Sequence, residues 1–326
     1  NDDWFTLVSR ISNVGLFRMH VIDRPVMGLV YTITYRLLGD APLAWHLFSF
    51  AVRTMGGLAF LWLLRLVWPG QRRMTLAAAC LFMIYPGFLQ QPGANNFSNH
   101  FISFLIGLTS LVLGVKALKC APGKLRMSLT IVSAGMVLIY PLIYEAMIGL
   151  EGMRLILYWV VLQPAQKEGL KRRLRSLIAQ AWPFLAALAG VVAWRLFIFQ
   201  GGRSNTDAGG LLRQYLNDPL GMAVKVLVET GRDFVETVVL AWGVPANKLA
   251  AKAGALEIII PLGLAVLLGL GLWMFTRRVS SFETNPQSGK PSTAAWAGVL
   301  GVVVTPLPVI LTDRSVDYSY SMDRFT

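Results

Sequence analysis

The sequence predicts an all-α polytopic membrane protein with about eight transmembrane helices plus external interfacial helices. Three observations lead there. Of 326 residues, 55% are hydrophobic and 14% charged, and mean hydropathy is +0.56, whereas soluble domains carry about a quarter charged residues. Several apolar stretches approach the roughly 20 residues that cross a bilayer. The short alternating strands of a β-barrel are missing from the sequence.

Taken in order, the candidate spans are roughly 43–68, 75–92, 98–118, 127–144, 147–163, 177–200 and 256–276. An eighth, roughly 293–312, is broken by Pro306 and Pro308. Two spans meet at Tyr144 and Glu145, which demands a very tight turn.

Basic residues sort the connections. Arg65, Arg72 and Arg73 mark the first, and Lys116, Lys119, Lys124 and Arg126 the second. The third holds Lys167, Lys171, Arg172, Arg173 and Arg175, and the fourth Arg277, Arg278 and Lys290. Short basic connections stay in the cytoplasm, so the alternate ones lie outside, including the uncharged "QPGANNFSN". The same rule accounts for the formal charge of +13 without a nucleic-acid partner.

Parity then places two further segments outside. The run 25–38 is too short to cross and reads as an interfacial helix. The stretch 220–243 carries Lys225, Glu229, Arg232, Asp233 and Glu236 at helical spacing and reads as an amphipathic external helix. The chain divides into an external first loop (1–42), a helix bundle (43–200), an external loop with an amphipathic helix (201–255), and C-terminal helices with an external tail (256–326). Its opening NDDWF, naked and external, predicts a span ahead of residue 1 and hence a piece of a larger protein.

The acids cluster on the predicted outer side. Asp2, Asp3, Asp23, Asp40, Glu145, Glu151, Asp207, Asp218, Asp313, Asp317 and Asp323 lie there, with His20, His46 and His100. That points to an outer cavity able to transfer protons or hold a metal, with His46, His100 and Glu145 as substrate or metal candidates. Three arginines fall in or near spans, where a charge needs a cavity or a partner. Arg195 can snorkel, and Arg154 can pair with Glu151 one turn earlier. Arg53 sits about ten residues into its span and calls for a carboxylate or an anionic headgroup. Cys80 and Cys120 lie in an apolar run and a basic loop, which is no disulfide framework. Walker, HExxH, CxxC and GxSxG motifs do not occur.

Asp2-Asp3-Trp4, then Arg24-Pro25, then Leu38-Gly39 with Pro42 and His46, resemble the C-type membrane glycosyltransferases, particularly their protein O-mannosyltransferase-like branch. "LFMIYPGFLQQPGANNFSNHFIS" and "LIYPLIYEAMIGL" resemble the family's later outer turns. The likeness covers the first half of the chain, and the rest only as helix layout. It implies transfer of a sugar from a polyprenyl-phosphate donor to an acceptor on the non-cytoplasmic face. It also implies a first-loop aspartate, Asp3 or Asp2, as general base or as ligand to a divalent ion. Arg53, Arg314 and Arg324 are then candidates for the lipid phosphate, with Arg24 beside the interfacial helix. The expected setting is a bacterial inner membrane with the N-terminal loop outside. The alternative is a non-catalytic membrane subunit of a larger complex that keeps this fold, and a transporter ranks third because paired broken helices are not evident in the sequence.

Overall fold

The computed structural model describes residues 16–21, 24–85, 93–162, 169–199, 208–252 and 291–311, with isolated positions between 254 and 274. Among these residues every regular element is helical. Five helices are long and apolar enough to cross a membrane: Pro42–Val67, Phe97–Lys119, Lys124–Ile143, Leu170–Ala193 and Ser292–Ile310. The eight expected spans are therefore five among the described residues.

The differences have local causes. Helix α1 (Leu16–Val21) packs on α2 (Pro25–Leu38), which has the bounds expected for the short interfacial helix. It ends at Gly39, whose φ of 62° suits glycine best, and Pro42 then opens α3 (Pro42–Val67). The expected span 75–92 is instead α4 (Arg72–Met83), of 12 residues. At 1.5 Å per residue it covers about 18 Å, short of a roughly 30 Å hydrocarbon layer; residues 86–92 lie outside the described residues.

Helix α5 (Ala94–Lys119) runs parallel to α3. Ser49 near the start of α3 donates to the Ala94 carbonyl at 2.7 Å, and Lys119 at the end of α5 donates to the Leu66 carbonyl. Parallel neighbours require the chain to return across the bundle between them, and α4 covers the first part of that return.

Helix α6 (Lys124–Ile143) is antiparallel to α5, with Ser103 bonded to the Tyr140 carbonyl and Ser110 to Ser133. A 3-10 turn, Glu145–Ile148, forms the tight junction expected at Tyr144–Glu145 and leads into α7 (Gly149–Val161). At 13 residues α7 falls below the length of a full span. It still joins the two ends of the bundle, because Trp159 meets Arg173 at the start of α8 (Leu170–Ala193).

The buried core lies where these helices meet. Leu63, Leu111, Val112, Val115, Val137, Leu157 and Phe184 are its centre. Outward faces are also apolar, with Ile131 63%, Ile178 60% and Trp182 61% exposed. A chain apolar inside and outside is built for lipid.

After α8 the helix loosens into a π-turn, Trp194–Ile198. Then come α9 (Ala208–Asn217), α10 (Pro219–Val235), a second π-turn (Glu236–Leu240) and α11 (Ala241–Lys252). The amphipathic helix expected over 220–243 is present, with its charged side inward. Asp233 and Glu236 are buried, while Leu227 is 72% and Val228 61% exposed. Arg232 bridges Glu229 at 3.6 Å and Glu236 at 3.1 Å along this face. Of the span expected over 256–276, twelve positions lie outside the described residues, and the other nine are helical and exposed.

Helix α12 (Pro291–Val304) packs antiparallel on α7, and Pro306 breaks it from α13 (Leu307–Ile310) as the sequence predicts. Contact is close because Gly149 and Gly152 face Thr305 and Val304; a Cβ at Gly149 would collide with the Thr305 backbone.

This layout gives the bundle two distinct ends. The starts of α3, α5 and α7 and the ends of α6 and α8 share one end. Arg65, Arg72 and Arg73, Lys116, Lys119, Lys124 and Arg126, and Lys171, Arg172 and Arg173 at the start of α8 share the other. Helix α2 lies across the first end. Arg24, just before it, meets Glu145, and Tyr35, near its C-terminus, meets Asn95 and Trp45.

Candidate functional site

A group of charged and aromatic side chains gathers under α2. Arg24 Nη2 and Nε lie 3.0 and 3.3 Å from Glu145 Oε2. Arg195 Nη2, from the π-turn after α8, lies 3.0 Å from Glu145 Oε1. Each carboxylate oxygen thus receives its own guanidinium. The side chains are 21% (Arg24), 35% (Arg195) and 36% (Glu145) exposed, so the group is half-open. Two guanidinium groups share this one carboxylate, and a guanidinium fork is the side-chain shape that suits a phosphodiester.

Local structure makes this convergence possible. Tyr144 is extended, at φ −147° and ψ 111°, between the end of α6 and the 3-10 turn. That break turns Glu145 sideways toward α2 and α8. The π-turn re-aims Arg195, which a continuous helix would send elsewhere.

Aromatic rings wall the site. The Arg24 guanidinium lies 5.6 Å from the Tyr144 ring centroid. His100 meets Tyr144 edge-on at 4.1 Å and stacks on Phe97 at 5.1 Å. Tyr31, Tyr35 and Trp45 are buried in a second apolar cluster beneath α2, and His20 stacks on Tyr31 at 4.9 Å.

The other sequence candidates separate. Glu145 and His100 stand on either side of Tyr144. His46 is exposed near the start of α3. Asp2, Asp3, Arg314 and Arg324 lie outside the described residues. Arg53 Nη2 donates to the Met83 carbonyl at 2.6 Å. It holds the C-terminus of α4, the short helix that stops inside the bundle. A cation there meets unsatisfied carbonyls and the negative end of the helix dipole.

Arg154 and Glu151 form the pair expected from their spacing, buried more deeply than the sequence implied. All five guanidinium N–H groups have acceptors. Nε and Nη2 reach Glu151 at 2.7 and 2.8 Å, and Nη2 also reaches Ser110 Oγ at 2.7 Å. Nη1 lies 3.3 Å from both the Ser110 carbonyl and Ser133 Oγ. Phe184 covers the plane, with its centroid 4.0 Å from Cζ. A charge so completely satisfied binds helices together and has no valence left for a substrate.

A divalent ion is implied by the resemblance. Among the described residues no three His, Cys, Asp or Glu side chains group to hold a metal. Glu145 is engaged by two guanidinium groups, which repel a cation. The described residues do not fit a metal site.

Sequence reasoning passed over two parts of this site. Arg195 was read as a snorkelling residue at a helix end, and only the π-turn reveals its target. Asn95 and Asn99 were read as an uncharged loop, whereas both are buried in the first turns of α5. The dense run "NNFSNH" directly before an apolar span was the available signal. Compared with known proteins, the chain matches no family model, no curated protein and no solved structure.

Proposed function

We propose that the chain is a membrane glycosyltransferase that takes a sugar from a polyprenyl-phosphate donor on the non-cytoplasmic face. The observation that supports this reading is the Arg24–Glu145–Arg195 group under an interfacial-type helix. It brings two guanidinium groups together at an aromatic, half-open site, the side-chain type best shaped to hold a lipid phosphodiester.

In this mechanism a first-loop carboxylate, Asp3 or Asp2, takes the proton of the acceptor hydroxyl. The acceptor oxygen bonds to the anomeric carbon from the face opposite the lipid. The anomeric C–O bond breaks, and its electron pair leaves on the lipid phosphate. Arg24 and Arg195 offset the charge that develops there. This is inverting displacement with one base. Collected basic connections at the opposite end of the bundle support a cytoplasmic position for that end. The membrane is taken as a bacterial inner membrane, with residues 1–42 outside. The return between parallel α3 and α5, the end-to-end course of α7, and 256–276 would bring the crossings to eight.

The test is transfer by the purified chain in liposomes, using radiolabelled polyprenyl-phosphate hexoses and hydroxyl acceptors. Transfer that falls at least a hundredfold in Asp2→Asn/Asp3→Asn, about the low end for a general base, supports the mechanism. Full transfer in that variant removes the proposed base, and no transfer or sugar release from any donor removes the enzyme reading. The second reading, a non-catalytic subunit with this fold, draws on the same group, since Glu145 already engages both arginines.

A further inference from the structure

Asn99 is a fully buried side chain whose amide nitrogen and oxygen both have no hydrogen-bond partner. An orphan of this kind is costly in a bilayer-embedded fold, where no bulk water compensates it. The adjacent His100 has a buried Nδ1 in the same condition. Both lie in the second turn of α5, whose N-terminus receives no side-chain cap from Gly93.

Side chains on a helix lean toward its N-terminus. Asn99 therefore reaches over the turn of Asn95, toward the end of the bundle covered by α2. The His100 ring abuts Tyr144, whose other neighbour is Arg24. His100 and the arginine–glutamate group thus meet the same aromatic ring, and Asn99 precedes His100 on α5.

The orphan atoms also identify a ligand class. An anion accepts only, and would leave Asn99 Oδ1 facing another acceptor. A hydroxyl both donates and accepts, so two neighbouring hydroxyls can satisfy one amide at Nδ2 and Oδ1 together. His100 Nδ1 can serve a third contact, and nearby rings suit the apolar face of a pyranose.

We propose that Asn99 and His100 form a subsite for adjacent hydroxyls of the donor sugar, beside the arginines that receive its phosphate. This rests on the glycosyltransferase reading above. The subsite makes donor recognition depend on the sugar, where the arginines recognise only the lipid phosphate.

Binding to the purified full chain tests this, using two probes: a short-chain polyprenyl phosphate carrying one hexose, in mannose and glucose forms, and the same polyprenyl phosphate without sugar. The wild type should bind one hexose form about tenfold tighter than the bare phosphate, and Asn99→Leu should lose that preference, as expected for a buried hydrogen-bonding pair. Asn99→Leu should bind the bare phosphate within about twofold of wild type, since its charge contacts remain. His100→Phe, which keeps the ring contacts, should lose part of the preference. If Asn99→Leu does not fold, Asn99→Ala carries the same comparison. Sugar preference intact in the Asn99 variant and in His100→Phe means the amide meets water or nothing; that overturns the subsite and leaves the glycosyltransferase reading standing. A wild type that does not distinguish sugar-bearing from bare lipid, or binds neither, overturns both.

Discussion

Arg154 Nε lies 2.7 Å from Glu151 Oε2, and neither side chain reaches the surface. The pair sits beside Ser110 and Ser133, the middle contact of α5 and α6. It therefore joins three helices at the depth where an unpaired charge is most expensive. Tyr140 from α6 donates to Glu151 Oε1 at 2.7 Å and completes the network.

Removing one member leaves the other buried and alone. Arg154→Ala or Glu151→Ala should each cost about 3–5 kcal/mol. The double variant Glu151→Leu/Arg154→Met should cost less than either single change. Thermal unfolding of detergent-purified protein checks this, and an additive double variant would show that the two residues do not act as a unit.

Helix α12 can approach α7 only across glycine. Gly149→Ala would press a methyl group into the Thr305 backbone. It should destabilise by about 1–3 kcal/mol through overpacking. Gly135→Ala, where a Cβ meets nothing within 4 Å, is the control and should be neutral or slightly stabilising. Equal melting temperatures for the two variants would remove the close contact.

Arg53 separates a structural role from a lipid-binding one. Arg53→Gln keeps an N–H donor for the Met83 carbonyl, while Arg53→Leu does not. The leucine variant should lose about 1 kcal/mol, the usual scale for a cation at a helix C-terminus, and the glutamine variant less. Donor binding should change little in either. Loss of lipid-phosphate binding in Arg53→Gln at unchanged stability would assign Arg53 the headgroup role.

The two ends of the bundle should face different compartments. In a chain with Cys80→Ser and Cys120→Ser, a membrane-impermeant maleimide should reach Asp40→Cys from one side and Ala121→Cys only from the other. Both positions are exposed. Labelling Asp40→Cys from the cytoplasm would reverse the proposed sidedness.

Much of this architecture could be read directly from residue order. Apolar runs located α3, α5, α6, α8 and α12, because a helix in lipid must be apolar over most of its length. The short α2 emerged with its bounds intact, since Pro25 favours the first turn of a helix and Gly39 readily ends one. The Arg154–Glu151 pair followed from a three-residue spacing on one helix face.

Other features were hidden because hydropathy measures composition and is blind to neighbours. The run 75–92 carries no charge, yet α4 stops at Met83 with Arg53 from α3 holding its last carbonyl. The charged stripe of α10 looked like a face for water, and packing turned it inward.

The sequence by itself determined that this is a helical membrane protein with its basic connections set apart from its acids, because transfer from water to lipid depends on residue type alone. Only the tertiary structure decided which charges meet. Arg24, Glu145 and Arg195 lie far apart along the chain and converge through an extended Tyr144 and a π-turn, because charge pairing depends on distance and direction in space.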